Sequence, residues 1–472
     1  MTAAWELALA GAEVTVLERE SRLGGLCATH ERDGWRFDLG GHRFISRSGD
    51  LVARVRTLLG EDLLERTRSS VILHGGRRFR YPLDAHDLAR NLSPRDAARA
   101  IASWGKQRVA RRLRPSPDVT FRDWVTARFG THLYDLFFGP YTEKLWGLPP
   151  DQLSADWAAE RISLLDLGDA LLRLLHLRAA ARPRSYARRY YYPRLGIGQI
   201  FERMGDALAT RGADVRLDAT VTGIDRDAQG RARSVRFTQG EHAGASKLTR
   251  AIDCDFVIST LSLPLVARFV AGPSLDLRRH ADALRYRAVR FLNVMLDAAQ
   301  VSPHTWLYVS EPRHLATRIQ EPRHRSPEMA PPGKTSLMLE LPCTVGDDVW
   351  RAGDNALYAR CLDDLADLGV DVKGGLRAAT RGVFSTHIAE GYPIYALDYA
   401  DHQRALIDAV AAVPNLLSIG RQGTFRYIFM DIAMEMGLAA ARHVLTNTPA
   451  RPRAFLHFRN DRQLIEAQSL TA

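Results

Sequence analysis

The first seventeen residues change period. Met1 to Ala10 is apolar at helical spacing, with Trp5, Leu7 and Leu9 set among small alanines, and Gly11 ends the pattern. This predicts a short helix. Glu13 to Leu17 is rich in β-branched residues and ends at an acid, Glu18, which predicts a buried strand. Helix, tight turn, strand and acid make the second half of a dinucleotide-binding βαβ unit. The first strand and its G-x-G-x-x-G loop are therefore expected upstream, with Met1 an interior position. The alternative is a chain that has lost the phosphate loop and its nucleotide.

Further along, SVILHGG and RRFRYPL within 51–83 read as strands, and from about 85 to 185 the period is helical. Residues 196–265 return to α/β character: a helix over 198–213, a strand over 214–227, then the strand DFVISTLS. Short strands and Pro-bounded loops fill 285–400, and 415–445 reads as one strand, a loop and a long helix. The predicted fold class is α/β. A Rossmann-like cofactor-binding domain is assembled from 1–50, 190–265 and 405–447. It is interleaved with a helical cap (85–189) and an antiparallel-sheet substrate domain (51–84 and 266–404), and 448–472 forms a basic tail.

Composition narrows the class. The chain has 472 residues, 46% hydrophobic and 25% charged, as in ordinary globular enzymes. It has neither an apolar run of about 18 residues nor a signal-peptide pattern at residue 1, so a cytoplasmic enzyme is expected. The net charge is +11, but only five of the 65 basic residues are lysine, a bias that a GC-rich genome produces by itself. No nucleic-acid motif accompanies the basic clusters at 97–114 and 173–194, so no nucleic-acid partner is expected. The stretch ISLLDLGDALLRLLHLRAAARPR (162–184) is apolar and then basic, which suits peripheral contact with an anionic membrane at its inner face; a packed helix with a solvated end explains it equally. Cys27, Cys254, Cys343 and Cys361 lie far apart without a C-x-x-C pair. Buried reduced thiols are expected, and no metal site.

Four motifs carry chemistry. Glu18, at the end of a nucleotide-fold strand, is placed to accept hydrogen bonds from ribose hydroxyls. In S-R-L-G-G (21–25), Gly24 and Gly25 allow close backbone approach while Arg22 reaches a phosphate. In D-L-G-G-H-R-F (38–44), Gly40 and Gly41 allow the backbone to pack on a flat ring, and His42 can hydrogen-bond it. G-R-Q-G-T-F-R-Y-I-F-M-D (420–431) is read as opening a long helix, whose positive end suits a pyrophosphate or a flavin edge.

Together with Y-P-L (81–83) and Y-T-E-K-L-W-G (141–147), these motifs resemble the FAD-dependent UDP-galactopyranose mutases. The likeness is closer to a branch related to flavin amine oxidases and protoporphyrinogen oxidases, and it runs from residue 2 to about 445. The resemblance implies FAD as cofactor, held by Glu18, Arg22, Gly24, Gly25, Gly40, Gly41, His42, Val221, Gly420, Arg421, Asp431 and Ile432. Val221 would give backbone contacts to the adenine, and Gly41 stands where the mutases have proline. It implies His42 and Arg421 as catalytic residues. Tyr141, Trp146, Arg318 of T-R-I-Q-E, Tyr392, Tyr395 and Tyr427 would face the substrate, and planar arginines with phenol donors suit a diphosphate. The implied function is an FAD-dependent oxidoreductase acting on a nucleotide- or lipid-linked sugar in glycan or glycoside biosynthesis. Three alternatives stay open: a mutase-type isomerase using reduced flavin, an oxidase of a hydrophobic amine or porphyrinogen, and a flavin-free binding protein. Ile428, Phe429 and Met430 depart from the mutase pattern and make a drier rim, which favours a more lipophilic or deoxygenated sugar.

Overall fold

The computed structural model describes residues 1–81, 87, 90–162, 189–240, 248–272, 274–446 and 455. Pro82 and Leu83, all but the first residue of the 162–184 stretch, and the 448–472 tail apart from Phe455 lie outside these.

Two short parallel pairs start the α/β part. Thr15–Leu17 pairs with Asp214–Arg216, and Val257–Ser259 pairs with Leu416–Ser418. The helix Thr2–Leu9 packs on the helix Met430–Thr446. Their backbones meet at Gly437, where a Cβ would lie 3.0 Å from Thr2 Cβ and 3.1 Å from Ala3 N. The 214–227 segment is two strands, not one. It leaves the parallel pair after Arg216 and joins an antiparallel three-stranded sheet as Ala219–Arg226. The break falls at Asp218, whose φ of +54° is left-handed and ends regular pairing.

The largest sheet has seven strands: Thr380–Pro393, Tyr286–Leu296, Thr335–Cys343, Arg318–Gln320, Trp306–Val309, Ser70–His74 and Arg77–Arg80, in that spatial order. Alternation along its strands gives it two unlike faces. Leu292, Val294, Leu307, Ile319, Leu337, Leu339 and Leu341 form one buried core with Leu357, Cys361 and Leu365 of the helix Asp354–Asp367. The other face carries Phe291, Met338, Trp306 and Tyr308, with Asn293, Arg318, Gln320, Ser336 and Glu340 interspersed and nearly all buried. A row of polar side chains on the inner face of a buried sheet must be matched by something above it.

That something comes partly from helices. Pro94–Leu113, Phe121–Leu133, Gly139–Trp146 and Ala155–Ile162 supply Ala100, Trp124, Phe129, Leu145, Trp146 and Trp157 to the same core. Ser93 caps the first of these helices, and Thr120 with Asp123 forms a capping box on the second, the expected start signals. The long C-terminal helix begins at Met430 rather than Gly420. Gly420–Gly423 is a single turn, and Phe425 at φ +48° forbids continuation. The four cysteines are unpaired; Cys343 and Cys361 are buried, whereas Cys27 and Cys254 are only half-buried.

Candidate functional site

Glu18 follows directly on its strand. Its backbone N–H donates to Arg216 O at 2.9 Å, and its Oε1 accepts the Glu20 N–H at 2.9 Å. Burial raises its pKa above the usual carboxylate value. Arg22 Nη1 donates to Thr29 O at 2.9 Å, so that part of its guanidinium braces the loop. Gly24 and Gly25 are left-handed, at φ +110° and +55°. The Ala219 N–H donates to Glu18 O at 2.8 Å. This contact brings the strand bearing Val221, paired there with Phe237, beside the acid.

The second loop is held close to the sheet. A Cβ on Gly41 would lie 2.4 Å from Trp306 Cζ2, so only glycine allows this approach. The Nδ1 of His42 has no partner. Burial, reinforced by the positive charges of Arg421, Arg325 and Arg318, brings its pKa down to about 3, so the imidazole is neutral at physiological pH. Arg421 donates through Nε and Nη2 to Ile428 O at 3.1 and 2.7 Å, and its guanidinium lies 4.6 Å from the Tyr427 ring centroid. This turn therefore fixes Arg421 as a positive wall. Asp431 and Ile432, in the first turn of the long helix, are both 2% exposed. Asp431 Oδ2 has no partner, and burial pushes its carboxyl up to about 8. Burial thus favours its neutral form, which can donate.

On the substrate side, four of the six expected residues adjoin one another. Arg318 Nη2 donates to Tyr392 Oη at 2.8 Å and to Glu340 Oε1, and Tyr392 Oη donates to the same carboxylate oxygen at 2.8 Å. Trp146 lies edge-on to Tyr392 at 6.0 Å, and Tyr392 lies 5.6 Å from Tyr427. Tyr395 stands a layer behind. Its ring stacks on Tyr399 at 4.3 Å, and its hydroxyl accepts the Tyr427 N–H at 2.9 Å. Tyr141 is half-buried against the core, within electrostatic reach of Arg318.

Several residues here were not anticipated from sequence. Glu340 is fully buried at the Arg318–Tyr392 pair, and its signal was available as a lone acid in the apolar strand TSLMLELPC. Trp157 bridges the aromatic cluster, 4.6 Å from Trp146 and 4.9 Å from Tyr427. Arg325, at the end of the turn Pro322–His324, and Trp306, on a strand of the large sheet, gave no sequence signal, because only the tertiary fold brings them beside the Gly40–His42 loop.

The residues present fit FAD. Gly41 lets the loop lie against Trp306, and His42 Nδ1 and Asp431 Oδ2 are buried polar atoms with no partner among the described residues. Comparison with known proteins agrees. A phytoene dehydrogenase of Streptomyces griseus is 27% identical over 418 residues, covering 80% of this chain and 78% of that protein. Among solved structures, a reduced UDP-galactopyranose mutase superposes with a TM-score of 0.79 at 20% identity, over 100% of this chain and 97% of its own. A putative protoporphyrinogen oxidase from Exiguobacterium sp. 255-15 gives 0.67 at 19% identity, over 94% and 95%. A putrescine oxidase gives 0.60 at 15% identity, over 94% and 96%. These likenesses establish the α/β flavoprotein fold. The model of the flavin-containing amine oxidoreductases matches residues 1–445; the chain therefore belongs to that family and is a flavin-dependent enzyme with FAD as its cofactor.

Proposed function

We propose that this enzyme acts on a sugar carried by a diphosphate, nucleotide- or lipid-linked, where the helix Gly139–Trp146 meets the inner face of the large sheet. The observation that carries this reading is the Arg318–Glu340–Tyr392 cluster with Tyr427 and Arg421 beside it. The Arg318 and Arg421 guanidinium groups with the Tyr427 phenol suit the oxygens of a diphosphate, while the Tyr392 hydroxyl is committed to Glu340. The similarity to a UDP-galactopyranose mutase structure supports it.

In this reading Arg318 is positioned by Glu340 and Tyr392, and Tyr427 orients the diphosphate. Trp146 and Trp157 exclude water from the sugar side. Glu18 holds the ribose, Gly24 and Gly25 allow approach of the cofactor backbone, and Val221 contributes from its strand. Neutral His42 can donate or accept a proton through a single nitrogen. The neutral form of Asp431 donates one hydrogen bond at the mouth of its helix. Bound FAD supplies hydride acceptance when oxidised and nucleophilic character when reduced. Arg421 adds positive potential where negative charge develops.

The test is titration of the holoenzyme with UDP-galactose, UDP and putrescine, following the visible flavin spectrum. Saturable changes with UDP-galactose and UDP, weakened at least tenfold by Arg318→Met, are expected. A response to putrescine alone would overturn the reading. Ile428, 1% exposed, packs into the core with Leu417 and Ile419, whereas Phe429 and Met430, both half-buried, favour a second reading, an oxidase of a hydrophobic substrate. The phytoene dehydrogenase relative supports it too. Its mark is turnover with acceptor reduction and no response to UDP.

A further inference from the structure

Arg325 is 1% exposed, yet it forms no ion pair among the described residues. Its Nη2 donates to Gln320 Oε1, and its Nη1 has no partner. The buried carboxylate whose charge acts in its neighbourhood, Asp38, is already filled. It accepts from Thr29 Oγ1 at 2.7 Å, Tyr192 Oη at 2.6 Å and the Ile197 N–H at 3.1 Å. A buried guanidinium with an unmatched donor costs several kcal/mol, on the order of a broken buried pair, unless an anion answers it.

Among the described residues, two orphan atoms beside Arg325 can only donate, whereas His42 Nδ1 and Ser70 Oγ, also without partners, can accept. Gln320, which pairs with Trp306 in register, has an unpartnered Nε2, and Trp306 has an unpartnered Nε1. Both residues are buried, and both atoms can only donate. A second guanidinium, Arg43, lies 5.0 Å from the Trp306 ring, with Arg325 at 5.1 Å. This donor-rich, positively charged cluster abuts the Gly41 backbone through the Trp306 indole. It repels cations and leaves an apolar occupant's neighbours unsatisfied.

We propose that Arg325, Gln320 and Trp306 form an anion-binding subsite, separate from the Arg318–Tyr392 pair, that takes negatively charged oxygen. The charge has two possible sources: a phosphate or carboxylate group, or the negative charge that bound FAD acquires on reduction. The inference rests on the cofactor and not on the sugar-diphosphate reading, so it stands if UDP-galactose fails to bind.

The test compares wild-type holoenzyme with Arg325→Met by two measurements. The first is titration with inorganic phosphate and with acetate, read from the visible flavin spectrum. The second is the midpoint potential of the bound cofactor. A tenfold or greater loss of phosphate or acetate affinity, with the potential unchanged, assigns the subsite to an oxyanion from solution. A fall of about 30 mV, the two-electron equivalent of tenfold, assigns it to the reduced cofactor. If neither changes while FAD remains bound, Arg325 is a structural residue and the proposal fails. Should Arg325→Met not fold with FAD, Trp306→Phe removes one donor and keeps a ring. At least a threefold change in one of the two readouts is then expected, and no change in either overturns the proposal.

Discussion

The hydroxyl of Tyr395 accepts the backbone N–H of Tyr427 at 2.9 Å, so one aromatic side chain sets the backbone position of another. Tyr395 is 2% exposed, and no water can replace it cheaply. Tyr395→Phe leaves a buried N–H unmatched, at a cost of roughly 1–3 kcal/mol. A lower thermal midpoint is expected, together with weaker substrate response at unchanged FAD content. Unchanged stability would show that the Tyr427 amide finds another acceptor.

Gly41→Ala tests the cradle. The added methyl would meet Trp306 at 2.4 Å, and Trp306 is itself buried against the sheet, so the loop must withdraw. Purified Gly41→Ala is expected to carry less than half the wild-type ratio of flavin to protein absorbance. Gly105→Ala, where a Cβ meets nothing within 4 Å, is the control and should keep its flavin.

Glu340 is fully buried between Arg318 and Tyr392. Removing one member of such a pair exposes the other to the full desolvation penalty, about 3–5 kcal/mol. Glu340→Gln alone should therefore unfold at markedly lower denaturant. Adding Arg318→Met should recover part of the loss, because the stranded charge is gone. A strictly additive double variant would show that the two residues are not coupled in the folded protein.

His42 makes a pH prediction with a definite sign. The unfolded imidazole binds a proton below about 6.5, whereas burial and three arginines hold the folded one neutral down to about 3. The native state thus gains stability from this group above pH 6.5 and loses it as pH falls from 6.5 toward 3. His42→Asn removes that contribution. The FAD-free variant should lose stability less steeply than the FAD-free wild type between pH 6.5 and 4.5, by up to about 1.4 kcal/mol per pH unit. Parallel curves would place the imidazole in water.

What the sequence made legible followed the range of each interaction. The turn from Thr2–Leu9 into the strand ending at Glu18, and the glycine pairs, declare themselves within a few residues, because helix period and left-handed backbone are local properties. The strand, loop and long helix of 415–445 were legible, but not where the loop ends, since the left-handed Phe425 is not a glycine and carries no composition signal. Arg325 and Gln320 look like an ordinary polar loop and strand. Their placement beside Trp306 depends on the register Trp306↔Gln320, which one chain does not reveal.

Lys144 shows how a motif residue can matter without touching substrate. It lies between Tyr141 and Trp146 on the helix Gly139–Trp146. Its Nζ donates to the backbone carbonyls of Val309, Glu311 and Ala316 at 3.2, 3.0 and 2.6 Å. Those carbonyls belong to the segment that leads into Arg318, so the ammonium ties the Tyr141–Trp146 helix to the strand bearing Arg318. Lys144→Met keeps the length of the side chain and leaves three carbonyls without this donor. A loss of roughly 2–4 kcal/mol in chemical unfolding follows from orphaned acceptors of this kind. The UDP-galactose response should weaken with it, while the flavin spectrum of the free holoenzyme stays unchanged, because nothing in the cofactor cradle has moved. A variant with wild-type stability and wild-type ligand response would mean that packing of the 139–146 helix alone fixes the two elements.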